Sequence, residues 1–70
     1  MKSIKCEMAG TVLEVKVKAG QSVKNGQEVA VVESMKMEVP VVSQIEGIVQ
    51  AVTKNVGDFV NAGETLVEIQ

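Results

Sequence analysis

The chain contains no histidine, no tryptophan, no tyrosine and no arginine, and it has one cysteine, one proline and one phenylalanine. Each scarcity excludes something. Without histidine the commonest general base and the commonest metal ligand are missing, so neither a catalytic dyad nor a zinc site is expected. One cysteine, Cys6, forbids an intramolecular disulfide. It reads as a small buried hydrophobe, and a lone thiol fits a reducing compartment such as the cytoplasm. Nucleic-acid binders want excess basic charge, arginine forks and stacking rings. This chain has formal charge −2 and only Phe59 as an aromatic, which excludes that class. Apolar residues are dispersed. No run approaches the ~18–20 residues of a membrane span, and Met1-Lys2-Ser3 leads into no apolar leader core. The expectation is a soluble, untargeted, monomeric domain without membrane contact.

What is present is mostly valine in short runs, as β-branched strands require. Leu13-Glu14-Val15-Lys16-Val17-Lys18 alternates, with the odd positions expected to face a core. Val29-Ala30-Val31-Val32 and Val39-Pro40-Val41-Val42 are short apolar strands, and Pro40, which cannot donate to a ladder, suits an edge or the end of a turn. Turn signals recur at Ala19-Gly20, Asn25-Gly26, Val56-Gly57-Asp58 and Ala62-Gly63. No window sustains helical periodicity. The class is all-β.

An internal repeat organises the chain. A shift of 37 lays residues 4–33 over 41–70 without a gap, and all six glycines pair under it: Gly10 with Gly47, Gly20 with Gly57, Gly26 with Gly63. Matching glycines imply matching turns. Val12, Val15 and Val23 meet Val49, Val52 and Val60. Neither half could bury its apolar side alone, so the prediction is one domain over 1–70. It is a flattened β-barrel or sandwich (a barrel-sandwich hybrid) of two antiparallel sheets related by a pseudo-two-fold axis. Val12 and Val15 are three apart, which would put them on opposite faces of a flat strand; a twist, a bulge or a change of sheet is expected there. The junction of the halves, residues 34–40, is then a hairpin tip opposite the paired chain ends.

That tip holds Glu33-Ser34-Met35-Lys36-Met37-Glu38. Tight turns usually recruit Gly, Asn, Asp, Ser or Pro, so two methionines around a lysine need a reason. Either they fold back onto the core, or they form an adaptable recognition surface. Glu33, Glu38, Glu64 and Glu68 read as solvated strand and turn residues rather than an acid–base pair.

Glu33-Ser34-Met35-Lys36-Met37 resembles the Glu-Ala-Met-Lys-Met attachment site of biotinyl domains, the biotin carboxyl carrier type of the biotinyl/lipoyl attachment family. Met8-Ala9-Gly10-Thr11-Val12 is similar to that family's Met-Pro-Gly-Thr-Val. Val17-Lys18-Ala19-Gly20-Gln21-Ser22-Val23 and Val56-Gly57-Asp58-Phe59-Val60 are similar to its Gly-Asp turns. Ser34 stands for alanine and Ala9 for proline. The gapless repeat leaves no room for a protruding thumb, so the likeness is to thumbless domains and small free-standing attachment proteins. The resemblance implies a non-catalytic carrier. Covalent biotin would sit on Lys36, with Met35, Met37, Ser34 and Glu33 as the recognition flank. A biotin protein ligase would attach the biotin, and a biotin carboxylase and a carboxyltransferase would be its partners. Lipoyl domains carry an acidic residue directly before the lysine, where this chain has Met35, so lipoate is the lesser alternative. An unmodified β-sandwich adaptor is the other.

Overall fold

The computed structural model describes residues 2–70 and contains eight strands. They are β1 (Lys2–Lys5), β2 (Gly10–Val15), β3 (Ser22–Val23), β4 (Glu28–Ser34), β5 (Met37–Val42), β6 (Gly47–Val52), β7 (Phe59–Val60) and β8 (Thr65–Ile69). Two four-stranded antiparallel sheets result, ordered β1-β8-β6-β3 and β5-β4-β2-β7. Among the described residues there is no helix.

The strand register follows the 37-residue shift pair by pair. Val12 faces Val32 as Val49 faces Ile69; Ala30 faces Val41 as Val67 faces Ile4; Gly10 faces Val60 as Gly47 faces Val23. The irregularity expected near Val12 and Val15 is a bulge between Val12 and Glu14, and its counterpart lies between Val49 and Ala51. A bulge adds one residue on one side, so Val12 and Val15 can both turn toward the interior. The same bulge corrects the alternation expected for Leu13. That residue is the extra one and is exposed, Val15 is half-buried, and Val17 alone of the three is buried.

The core lies between the sheets and is built from dyad pairs: Val12 and Val49, Val23 and Val60, Val29 and Leu66, Val32 and Ile69, Ile4 and Val41. Fully burying one such side chain contributes ~1.5–3 kcal/mol against chain entropy. Cys6 is buried at the rim. Its Sγ donates to the Met8 carbonyl at 2.8 Å, as the hydroxyl of its counterpart Ser43 donates to the Ile45 carbonyl at 2.6 Å. The thiol thus has a local structural job in addition to its burial.

Four tight turns link the strands by one device. Gly20, Gly26, Gly57 and Gly63 all have φ between 88° and 95°, a region that side chains with a Cβ resist. In each turn the residue after the glycine folds its side chain back to accept the N–H of the turn's first residue. Gln21 accepts from Lys18, Gln27 from Lys24, Asp58 from Asn55 and Glu64 from Asn61. The Asn61 N–H, 2.7 Å from Glu64 Oε1, holds the Glu64 carboxyl below its ordinary value of 4.5, and nearby Lys54 adds to this. The folded state therefore binds this proton less tightly than the unfolded chain. The associated stability is present above the unfolded value and is lost as pH falls through the folded one. Glu64→Gln, which keeps the acceptor as Gln21 and Gln27 do, is expected to flatten the fall in melting temperature below about pH 4.5. Thermal melts across pH 2.5–7 check this; an unchanged acid limb would remove Glu64 from it.

Lys5 of β1 and Val42 of β5 line one groove together with Glu7 and Gln44. The two edge strands therefore approach at their C-terminal ends. Lys2 pairs with Ile69, which sets the chain ends side by side, and the β4–β5 hairpin is their dyad counterpart in a molecule 31 Å long.

Candidate functional site

The β4–β5 ladder runs through Val32–Val39, Glu33–Glu38 and Ser34–Met37, leaving Met35 and Lys36 as a two-residue loop. Closing two twisted strands with two residues demands positive φ at both, the type I′ geometry usually supplied by Asn-Gly. Met35 has φ 53° and Lys36 φ 64°, the only non-glycine residues described with positive φ. Left-handed backbone costs an ordinary L-residue roughly 1–2 kcal/mol. The tip sequence is therefore a poor choice for stability, and such strain gathers where function retains it.

Side chains at the tip point outward. Met35 is 86% exposed and Met37 66%, so neither folds back onto the core, and the recognition-surface alternative is the one the geometry supports. Lys36 is exposed, and its ammonium has no carboxylate within 4 Å among the described residues. Glu33 and Glu38 sit directly opposite one another on the hairpin, both exposed. Ser34 differs from the rest of the expected flank, because its side chain is buried beneath the turn at 8% exposure. It lies on the inward side of β4 and displays little to a partner.

Lys16 is engaged by Glu28 at 3.0 Å, which raises its pKa above the ordinary lysine value, and Lys54 lies 3.4 Å from Glu64. Lys2 and Lys5 lie on a strand, and Lys18 and Lys24 precede glycine turns. Only Lys36 stands on a protruding loop between two exposed methionines. That arrangement offers an accessible amine between two apolar handles. Met35→Asn, which relieves the left-handed strain at 35, is expected to raise the melting temperature by several degrees. Thermal melts of the two proteins check it, and an unchanged or lower melting temperature would contradict the strain at this position.

A two-fold β-sandwich presenting one lysine at the junction hairpin is the architecture of a group-attachment domain. The chain matches the biotin/lipoyl family model, described as "Biotin-requiring enzyme", over residues 2–69. It is 51% identical over 67 residues to the "Biotin/lipoyl attachment protein" of Bacillus subtilis, covering 96% of this chain and 92% of that protein. It is 40% identical over 67 residues to the pyruvate carboxylase of Staphylococcus aureus, of which it spans 6%. Among solved structures, the urea carboxylase of Kluyveromyces lactis aligns at TM-score 0.90 and 28% identity, over 99% of this chain and 6% of that one. The lipoyl domain of the 2-oxoglutarate dehydrogenase complex of Azotobacter vinelandii aligns at 0.73 and 31%, over 89% and 78%. The chain belongs to the biotin/lipoyl attachment family and is similar to the carrier segments of carboxylases.

Proposed function

We propose that this chain is a biotin carboxyl carrier in the cytoplasm, non-catalytic in itself, with Lys36 as the site of covalent biotin. The observation that carries the reading is the strained, outward-facing Met35-Lys36-Met37 turn, whose lysine is unpaired and whose methionines are exposed. In the ligase reaction the ε-amine of Lys36 loses a proton and attacks the carbonyl carbon of biotinyl-adenylate. An amide forms and AMP leaves. Attached biotin supplies the ureido nitrogen on which carboxylate is carried from a biotin carboxylase to a carboxyltransferase. The chain's own contribution is positional. The hairpin holds the lysine away from the sandwich, and the tether raises the effective concentration of the group at both enzymes. Met35 and Met37 mark Lys36 by shape among seven lysines, which charge alone could not do. Support also comes from Met35, because an apolar residue stands where lipoyl domains carry an acid.

The test is the intact mass of the protein after expression with a biotin protein ligase and biotin, and separately with a lipoate ligase and lipoate. One biotinyl group and no lipoyl group is the expected result. A lipoyl adduct alone would make this a lipoyl carrier, and no adduct in either case would favour an unmodified adaptor.

A further inference from the structure

Because the two halves share one register, dyad-related positions face the same structural demand, and a difference in polarity between them is not required by the fold. On the outward surfaces three such differences fall together, and Val42 against Lys5 stands apart from them. Leu13, Val56 and Phe59 are 38%, 63% and 57% exposed, while their counterparts Gln50, Ala19 and Ser22 carry little or no apolar bulk. The reverse exchange occurs with Thr11 against Ile48. The three apolar residues stand at neighbouring positions of the backbone. Phe59 pairs with Thr11, and the Gly57 N–H donates to the Val12 carbonyl, which brings Val56 alongside Leu13. From Thr11 the same outward row continues to Glu33 and then Glu38, two residues from Lys36.

Charge is equally one-sided. The strands of this sheet contain Glu14, Glu28, Glu33 and Glu38 and no lysine, whereas those of the other sheet contain Lys2, Lys5 and Glu68. Lys16, just past β2, is taken up by Glu28. Glu33 opposite Glu38 is a like-charged cross-strand pair, unfavourable within the domain itself, and amide formation at Lys36 would remove the positive charge nearest to it.

We propose that this outward face, with Phe59, Val56 and Leu13 at its centre and the glutamate row leading to the tip, docks the enzyme that loads carboxylate onto the carried group. The matching surface is an apolar recess with a basic rim. The inference rests on the carrier reading above. Charge complementarity argues for this occupant: an enzyme that handles carboxylate, an anion, presents a positive entrance, to which an acidic row is attracted, and the ligase and the carboxyltransferase are the competing outcomes of the test. A second copy is a poor occupant, since a symmetric contact centred on Phe59 would bring two acidic rows into one interface.

The test is the triple variant Leu13→Gln/Val56→Ala/Phe59→Ser, which installs residues that the same fold already carries at the dyad-equivalent positions. Its melting temperature and its rate of biotinylation are expected to match those of the parent. With biotinylated carrier as the varied substrate of biotin carboxylase from the source cells, its KM is expected to rise about tenfold or more, the loss of a small hot-spot cluster, with kcat unchanged. Glu14→Gln/Glu38→Gln is expected to weaken the salt dependence of that KM. An unchanged KM overturns the proposal. So does a loss confined to ligation or to the carboxyltransferase, or a parent dimer in the ultracentrifuge that the triple variant abolishes. A parent chain that takes up no biotin overturns the carrier reading as well, whereas one that takes it up and keeps its KM on substitution overturns this proposal alone.

Discussion

Lys36→Arg is expected to abolish biotin incorporation and leave the melting temperature unchanged. Arginine keeps the charge and most of the length, and it meets the same φ of 64° with the same Cβ. Lys36 is exposed and unpaired, so no packing or ion pair is lost, and surface changes of this kind stay within about 0.5 kcal/mol. What is lost is the nucleophile, because a guanidinium is not deprotonated under conditions a protein survives. None of the other lysines takes over. Lys16 and Lys54 are held by glutamates, and the rest lack the flanking methionines and the two-residue loop. A streptavidin blot of the co-expressed variant decides the matter; a persistent band would sink the assignment of Lys36.

The largest stability effect is expected at Gly10. A Cβ at that position would overlap the carbonyl oxygen of Glu33 and crowd Val32. The obstruction is backbone in the strand that rises to the tip, so it cannot be relieved by rotating a side chain. The dyad mate Gly47 would meet a methyl of Ile69 instead, with the Gln70 carbonyl at 3.3 Å. That methyl must move as well, but a side chain can give where a ladder strand cannot. Overpacking costs ~1–3 kcal/mol, with Gly47→Ala expected in the lower part of that range and Gly10→Ala at its top or beyond. In a domain of this size ~3 kcal/mol corresponds to a fall of about 12–24 °C in melting temperature. Displacing Glu33 also displaces the hairpin that carries Lys36, so slower biotinylation is expected to accompany the fall. Equal losses in the two variants would refute the backbone argument.

Much of this protein is legible in the chain because its strongest signals are local and repeated. Gly20, Gly26, Gly57 and Gly63 mark turns whose positive φ is a property of the residue type. Their common spacing reveals the two-fold before any contact is known. The anomaly of Val12 and Val15, three apart yet both repeated, points to the bulge that the register contains. Leu13 misleads for the same reason. Strict alternation assigns it to the core, and only the position of the bulge shows that it is the supernumerary residue. Ser34 misleads differently, since its place within a motif suggests display, whereas its place on the inward side of β4 buries it.

By itself, then, the sequence determined the class, the dyad and the junction at 34–40, because hydrophobic pattern and glycine placement are encoded residue by residue. Tertiary structure alone decided three things. It forced Met35 and Lys36 into left-handed backbone, since that follows from closing a hairpin in this register and not from any preference of methionine or lysine. It separated Gly10 from Gly47, which are equivalent in the repeat, by what stands across from each. And it gathered Leu13, Val56 and Phe59 onto one face beside the glutamate row. Each of these depends on which strand lies next to which, a pairing that no single stretch of the chain records.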